Sequence, residues 1–431
     1  MSPTFYRVIR GTLVFFRDIA LPVIVCAVIA RAESGGSAYS RFGLGDIRYF
    51  PDERAAGMGG VSVAVLSTNT VNILNPAGWT RLNRVRFSLS ALYEGFAARD
   101  AQGSTFLSGA VFNGFVLAVP ILPENGLSLS TGIVPYTALN YRVLNHVPDP
   151  TFPYTLKYSG DGGITQAYLG LSISSGKDWH FGVKLNYFFG TLQSKTMQSF
   201  GSSQYTDVEL TRKDGMSGIG GTFGVNYTGF GEILGMSESQ NFTLGAFFST
   251  GGRLRTSSEK MFVYTQGSTV IGRDTTIDQD ATTLLPFSFG FGGSYNLKDQ
   301  LLIAGDVFYQ KWGDLRMSGV HPSEIRDSYR ISLGAEIAPL QDARASFLSR
   351  TAYRFGAYYM SDRIRLNGQG INAVGFTGGV TLPVFEETRF TIGVDYSIRG
   401  TAANQLVKEN ILRVSFTLSG AERWFVRSTE E

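Results

Sequence analysis

Apolar and polar residues alternate along most of the chain after residue 84, with the period of two that a β-strand produces. From Trp179 to Phe189 the odd positions are all apolar or aromatic, and most even positions between them are polar or small. The stretches that begin at Phe390 and Leu412 repeat this pattern. The alternation predicts strands that have one apolar face and one polar face.

The same pattern predicts fourteen strands, which is an even number. Many of them contain ten residues or more, which exceeds the ~5 to 6 residues of a globular strand and suits a tilted strand that crosses a membrane. The predicted strands are 85–97, 104–121, 125–142, 163–175, 178–195, 204–228, 241–262, 282–297, 300–316, 327–339, 348–361, 371–383, 388–400 and 409–420.

The predicted connections alternate between short turns and long polar loops, as they do in outer-membrane barrels. Two of them, 98–103 and 229–240, depart from this alternation in length. The short turns are 123–126, 175–178, 297–300 and 384–388, and the long loops are 143–162, 196–216, 250–283, 317–327 and 362–370.

A soluble sandwich or propeller would also have strands with unlike faces, because its aromatic face would pack into a core. Strand length, even strand number and loop asymmetry favour an all-β fold in which fourteen antiparallel strands form a transmembrane barrel around a polar lumen. With 13% aromatic residues the chain is not disordered, and a net charge of +3 argues against a nucleic-acid partner.

Residues 1–32 are predicted to be a secretory signal peptide. Three arginines precede an apolar run from Ile19 to Ala30, and the small-x-small sequence that ends at Ala32 suits a signal peptidase. The run is too short to span a ~30 Å hydrocarbon core as an anchor, and the bulky Val25 before Cys26 disfavours a lipoprotein. Cleavage removes four of 38 basic residues, one of 35 acidic residues and the one cysteine, which leaves a neutral chain.

Residues 33–84, the N-terminal segment, precede the first predicted strand and lack regular alternation. A neutral, glycine-rich segment before a barrel can fold into the lumen as a hatch, whereas the alternative is a loose periplasmic tail. Apolar side chains such as Val61, Ile73 and Trp79 favour the hatch. The candidate hatch residues are Gly57, Met58, Gly59, Gly60, Asn75, Pro76 and Ala77.

The stretch 39–45, the glycine-rich motif 57–60 and the Asn-Pro-Ala motif 75–77 occur in this order ahead of the predicted strands. Together they resemble the FadL/TodX family of outer-membrane transporters of long-chain fatty acids and hydrocarbons, and especially its divergent Bacteroidetes-type members. The resemblance implies that apolar molecules enter from outside, bind in the lumen, and leave by hatch movement or sideways through the wall. It also implies that residues 75–77 lie in the hatch. From their chemistry alone, Asn75 and Pro76 predict a rigid bend.

The third predicted strand is interrupted by Gly132 and Pro135, and a proline removes one ladder hydrogen bond. Because the resembling family opens laterally at its third strand, Gly132, Pro135 and Tyr136 are candidates for the rim of a lateral opening. Alternatively, Pro135 lies above the membrane.

Alternation also assigns charged side chains to the lumen face. A fatty-acid carboxylate could pair with one of the cations while its tail contacts aromatic rings, although ion-paired packing within the lumen is the better explanation for any single charge. The assigned charges are Arg86, Glu94, Lys184, Asp306, Arg330, Glu336, Arg354, Arg389, Asp395, Arg399 and Arg413. The ligand-binding candidates are Lys184, Phe188, Phe247, Phe308, Arg330 and Arg354.

No motif for nucleophilic catalysis, metal binding or a cofactor is found in the sequence, so no enzyme activity and no cofactor are predicted. The predicted function is passive uptake of hydrophobic small molecules by a barrel whose outer face contacts outer-membrane lipid. One alternative is a protein-interaction barrel that acts as a carrier or scaffold in protein secretion across the outer membrane, together with a secretion-system partner. A polar porin is another, which the N-terminal segment disfavours because it would block the pore.

Insertion would require the outer-membrane assembly machinery, which usually recognises a terminal aromatic strand. Residues 421–431 are instead predicted to form a periplasmic tail after a barrel that spans 85–420. Phe416 or the pair Trp424–Phe425 would therefore provide the signal.

Overall fold

The computed structural model describes residues 35–49, 52–149, 151–233, 235, 240–298, 300–340, 342, 344–385 and 387–422. The predicted signal peptide and Trp424–Phe425 lie outside the described residues. None of the helices in the described part of the chain is long and apolar enough to cross a bilayer.

Most of the described residues lie in antiparallel strands. In chain order they are β1 (Asp46–Ile47), β2 (Val85–Arg99), β3 (Ser104–Leu122), β4 (Leu127–Pro135), β5 (Thr137–Ala138), β6 (Tyr141–Val147), β7 (Tyr154–Ser175), β8 (Trp179–Ser199), β9 (Thr206–Tyr227), β10 (Gln240–Ser249), β11 (Gly252–Gln266), β12 (Thr269–Leu285), β13 (Ser288–Leu297), β14 (Leu301–Gln310), β15 (Arg316–Met317), β16 (Ser328–Ile337), β17 (Ala352–Leu366), β18 (Gln369–Phe385), β19 (Thr388–Gly400) and β20 (Lys408–Glu422).

The helices within the described residues are short. Two of these are α-helices, α1 (Glu53–Gly57) and α2 (Phe230–Ile233). The 3-10 turns are Ala38–Arg41, Pro76–Arg81, Pro123–Asn125, Trp312–Asp314 and Leu348–Arg350.

Fourteen barrel strands close into a cylinder, which confirms the predicted fold class and strand number. The first barrel strand, β2, pairs with the last, β20, from Val85–Glu422 to Arg99–Lys408. Four barrel strands are each assembled from two pieces: the third from β4 and β6, the seventh from β10 and β11, the eighth from β12 and β13, and the ninth from β14 and β15.

Strand β8 illustrates why the alternation was informative. From Trp179 to Tyr187 its odd positions are exposed on the outside of the barrel, whereas Lys184 and Phe188 at even positions are buried inside. An outer face of this kind matches the apolar band of an outer-membrane barrel. Nine of the eleven charges assigned to the lumen are buried, and Arg389 and Arg413 are half-buried.

Four of the predicted long loops, 143–162, 196–216, 250–283 and 362–370, are largely strand, so these loop predictions were wrong. The barrel strands continue past the apolar band as long hairpins on one rim, which we call the loop rim. The opposite rim, with the short connections, is the turn rim. These hairpins lack an apolar stripe because neither face contacts lipid, and the alternation that marks a membrane strand is therefore lost.

Candidate functional site: a lumen cavity beside a gap in the wall

The described part of the N-terminal segment, 35–49 and 52–84, runs through the inside of the barrel. Its Gly59 nitrogen donates to Thr377 Oγ1 at 2.7 Å, and Arg330 Nη2 donates to Gly59 O at 2.9 Å. On another side of the barrel, the Ser62 and Val63 nitrogens donate to Asp306 Oδ2 at 2.6 and 2.8 Å. Inward-facing side chains of the wall therefore bind the backbone of the segment directly.

Glycines on the inner face allow this close approach. A Cβ on Gly356 would overlap the Gly59 backbone, one on Gly334 would overlap Met58, and one on Gly182 would overlap Pro76. The small inner face that the alternation revealed therefore accommodates a packed polypeptide.

Ion pairs link the segment to the wall. Arg54 of α1 contacts Glu336 at 2.7 Å. Arg48 pairs with Glu94, a carboxylate that Arg413 also contacts at 2.9 Å. These pairs are largely desolvated, so removing one partner would leave a buried charge uncompensated.

A larger charge cluster surrounds Arg399. Its guanidinium is 3.0 Å from Asp46 of the segment, 2.7 Å from Glu409 and 3.6 Å from Asp362. The Ser37 hydroxyl donates to both Glu409 oxygens at 2.9 Å. The cluster ties the segment to β17, β19 and β20 at once.

The two candidate hatch motifs are both buried against the wall. Met58 packs with Val61, Val65 and Leu302. Asn75 caps the 3-10 turn Pro76–Arg81, because its Oδ1 accepts from the Ala77 nitrogen at 3.1 Å. The Asn75 amide also donates to Val63 O at 2.7 Å, so the bend connects two parts of the segment.

The third barrel strand leaves the wall just after Pro135. The Tyr136 nitrogen still donates to Ile164 O at 2.8 Å, but β5 then turns inward and pairs with β1 of the N-terminal segment. The strand rejoins the wall as β6, which pairs with β7. Gly132 remains within the ladder, paired with Val116 on β3 and Tyr168 on β7.

This detour leaves a gap in the wall between β3 and β6. Residues 104–113 of β3 pair with β2 on one side, and within the described ranges no strand pairs with them on the other. The beginning of the described segment lies behind the gap. A Cβ on Gly35 would be 2.7 Å from the Leu107 side chain, and Ser40 Oγ donates to Asn140 O at 2.8 Å.

Most of the candidate rim and ligand residues line one lumen cavity of about 110 Å³. They are Pro135, Tyr136, Lys184, Phe188, Phe247, Phe308 and Arg330. Gly132 and Arg354 are not among its lining residues. Arg354 instead contacts Glu336 at 2.6 Å and lines an opening of about 440 Å³ together with residues of the turn rim such as Pro339.

Five aromatic side chains are among the residues that line the cavity. The Tyr136 and Phe188 ring centroids are 5.0 Å apart in an edge-on arrangement. Phe308 stacks on Phe247 at 5.9 Å and meets Tyr49 edge-on at the same distance. Such a surface binds apolar molecules by area burial and ring contacts.

Two cations stand at the margin of these rings. Lys184 Nζ donates to Ile73 O and lies 5.1 Å from the centroid of the Tyr168 ring. Arg330 Nε donates to Ser332 Oγ at 2.9 Å. The arrangement can hold an apolar body with a polar or anionic end near a cation.

The sequence analysis missed the contribution of the N-terminal segment to this cavity. Ile47, Tyr49 and Leu74 all line it. No strand period runs through residues 46–74, so no rule of alternation could assign a direction to these side chains. Burial raises the pKa of the Tyr49 hydroxyl, so the segment presents a neutral phenol to the cavity.

The fold is similar to those of solved channels. The toluene transporter TodX from Pseudomonas putida is 14% identical over 87% of this chain and 99% of its own, with a TM-score of 0.60. The monoaromatic hydrocarbon channel CymD is 14% identical over 89% of this chain and 100% of its own, with a TM-score of 0.56. A FadL homologue from Pseudomonas aeruginosa is 12% identical over 87% of this chain and 99% of its own, with a TM-score of 0.57. These likenesses support the FadL/TodX-like barrel fold that the sequence suggested.

No curated protein matches the sequence. A family model does match, and it spans nearly the whole chain. Because the model described as BamG covers residues 16–429, the chain belongs to the BamG family.

Proposed function

We propose that the protein is an outer-membrane channel for passive uptake of hydrophobic small molecules, of the size of monoaromatic hydrocarbons or the chains of fatty acids. The observation that carries this proposal is the position of Pro135 and Tyr136. Both residues line the aromatic cavity and stand where the third barrel strand leaves the wall. A molecule in the cavity is therefore next to the gap in the wall.

An apolar layer on the loop-rim side supports the same route. Leu254, Trp312, Leu315 and Ile325 are fully or almost fully buried in a cluster that also contains Phe188 of the cavity wall. Water and ions are disfavoured in such a layer, whereas an apolar solute gains free energy by entering it. Such a route would admit apolar solutes and exclude water and ions.

The proposal predicts that the Phe247 ring binds ligand. Phe247→Ala should weaken saturable binding of radiolabelled toluene or palmitate to the purified protein in detergent by about tenfold, because a buried ring is lost from the cavity wall. The adjacent Phe248→Ala is the matched control, since Phe248 is 44% exposed outside the barrel and Phe247 only 5%. Equal losses in both variants would contradict a lumen site.

A second prediction concerns the gap. Pro135→Ala restores a backbone N–H donor at the point where the third strand leaves the wall, and an additional hydrogen bond there would stabilise the closed wall. Uptake of hydrocarbon by cells should therefore slow about two- to tenfold, the factor that corresponds to the free energy of one hydrogen bond. The amount of folded barrel should not change. Pro383→Ala, in β18 and away from the gap, serves as the control. Unchanged uptake in the Pro135 variant would remove the gap from the route.

A second candidate function is a scaffold or carrier within the outer-membrane assembly or secretion machinery. Membership of the BamG family supports this association. The ion pairs of Arg54 and Arg399 support it too, because a firmly held segment suits a barrel that presents its surface to other proteins. Equal hydrocarbon uptake by deletion and wild-type strains, with co-purification of assembly components, would favour this alternative.

A further inference from the structure

Six strands continue beyond the apolar band on the loop rim and form one sheet. They pair in the order β6, β7, β8, β9, β11 and β12. We call this region the outer sheet. It consists of residues 141–147, 154–163, 190–199, 206–217, 253–266 and 269–282.

The outer sheet ends in a long free edge at β12. Residues 269–282 face β11 on one side, and within the described part of the chain no strand pairs with them on the other. The pairs Thr283–Met317 and Leu284–Arg316 with β15 mark where the free edge ends. At ~3.3 Å per residue the edge is about 45 Å long.

Both faces of this edge are accessible. Every residue from 269 to 280 except Gly272 is exposed, including Ile271 and Ile277, the latter with 58% of its surface accessible. About half of the residues in an edge strand direct their N–H and C=O groups outward. The stretch contains no lysine and no proline, the residues that commonly protect such edges from pairing.

The charge of the edge selects the partner. The strand carries three aspartates, Asp274, Asp278 and Asp280, and one cationic residue, Arg273, so its net charge is negative. Among the described residues, none of the three aspartates forms an ion pair within 4.0 Å. A second copy of this edge would bring like charges together, whereas a lysine- or arginine-rich strand would neutralise them.

We propose that the β12 edge binds an extended, basic segment of another protein by strand addition. Main-chain hydrogen bonds to residues 269–282 hold the segment, Ile271 and Ile277 contact its apolar side chains, and the aspartates pair with its cations. This interaction surface goes beyond hydrocarbon uptake, because it lies outside the lumen. It needs neither the cavity nor movement of the N-terminal segment.

The probe is a short peptide that alternates lysine and valine, titrated against the full-length protein in detergent by fluorescence anisotropy. Combined Asp274→Lys, Asp278→Lys and Asp280→Lys should weaken its binding by about tenfold, because three weak exposed ion pairs are replaced by contacts between like charges. The same variant should gain affinity for a peptide that alternates glutamate and valine. Glu259→Lys is the control, because β11 is paired on both sides.

A second peptide separates strand addition from simple charge attraction without altering the protein. Methylation of alternate backbone nitrogens keeps the lysines but removes the donors that an added strand needs, and binding should be lost. Equal binding of the methylated peptide would overturn the proposal in favour of charge alone. Self-association of the wild-type protein that the lysine substitutions abolish would overturn it in favour of a second copy as partner.

Discussion

Replacing Arg399 with methionine is expected to destabilise the folded protein by about 3 to 5 kcal/mol, the cost of leaving a buried ion pair without one partner. Arg399 is 4% exposed, and its guanidinium is the cation that Asp46 and Glu409 share. The methionine side chain keeps most of the volume and removes the charge. Denaturant unfolding in detergent micelles, followed by tryptophan fluorescence, measures the change.

Two further variants make this result specific. Lys195→Met removes the exposed partner of Glu209, from which it is 2.8 Å away, and should cost less than about 1 kcal/mol. Adding Asp46→Asn and Glu409→Gln to the Arg399 variant should recover part of the lost stability, because the uncompensated charges disappear. An unfolding midpoint for Arg399→Met equal to that of the wild type would show that the cluster does not hold the segment.

Replacing Gly356 with leucine is expected to displace the N-terminal segment and open the lumen. An added Cβ would overlap the backbone at Gly59 and Met58, and residue 356 is paired with both neighbouring strands, which prevents an outward shift. Without the segment, a barrel of this strand number encloses a water-filled channel. Conductance in planar bilayers should rise by about an order of magnitude over that of the wild type.

Gly378→Leu is the matched control for this experiment. It substitutes a glycine on the neighbouring strand β18, where the nearest atom to an added Cβ is Arg354 O at 3.9 Å. Its conductance should remain that of the wild type. A Gly356 variant whose conductance stays at the wild-type level would mean that the segment adjusts within the lumen. That result would contradict the expectation that this substitution displaces the segment.

The barrel itself was predictable from the sequence because lipid and lumen impose different chemistry on alternate residues. Trp179, Leu185 and Lys184 were assigned to their correct faces by position alone. The same rule directed Phe188 and Phe247 inward, and both line the cavity.

Other features of the structure could not be predicted from the alternation of apolar and polar residues. The hairpin of β11 and β12 is exposed to water on both faces near its tip, so its strands resemble loops in composition. Tyr49 lies just after β1, outside any strand or helix, and its direction depends on contacts with Arg330 and Phe308 that only the folded barrel creates. Gly132 looked like a break but fits a tight ladder beside Tyr168, which no local signal distinguishes from a kink.

The contacts of the N-terminal segment also constrain the order of assembly. Its helix α1 touches β17 to β20, while the turn Pro76–Arg81 touches β7 to β9 across the cylinder. If the barrel closed first, the N-terminal segment would have to enter it through one rim and form all of these backbone contacts at once. We therefore expect the barrel strands to pair around the segment while it is in place, with the ladder between β2 and β20 forming last.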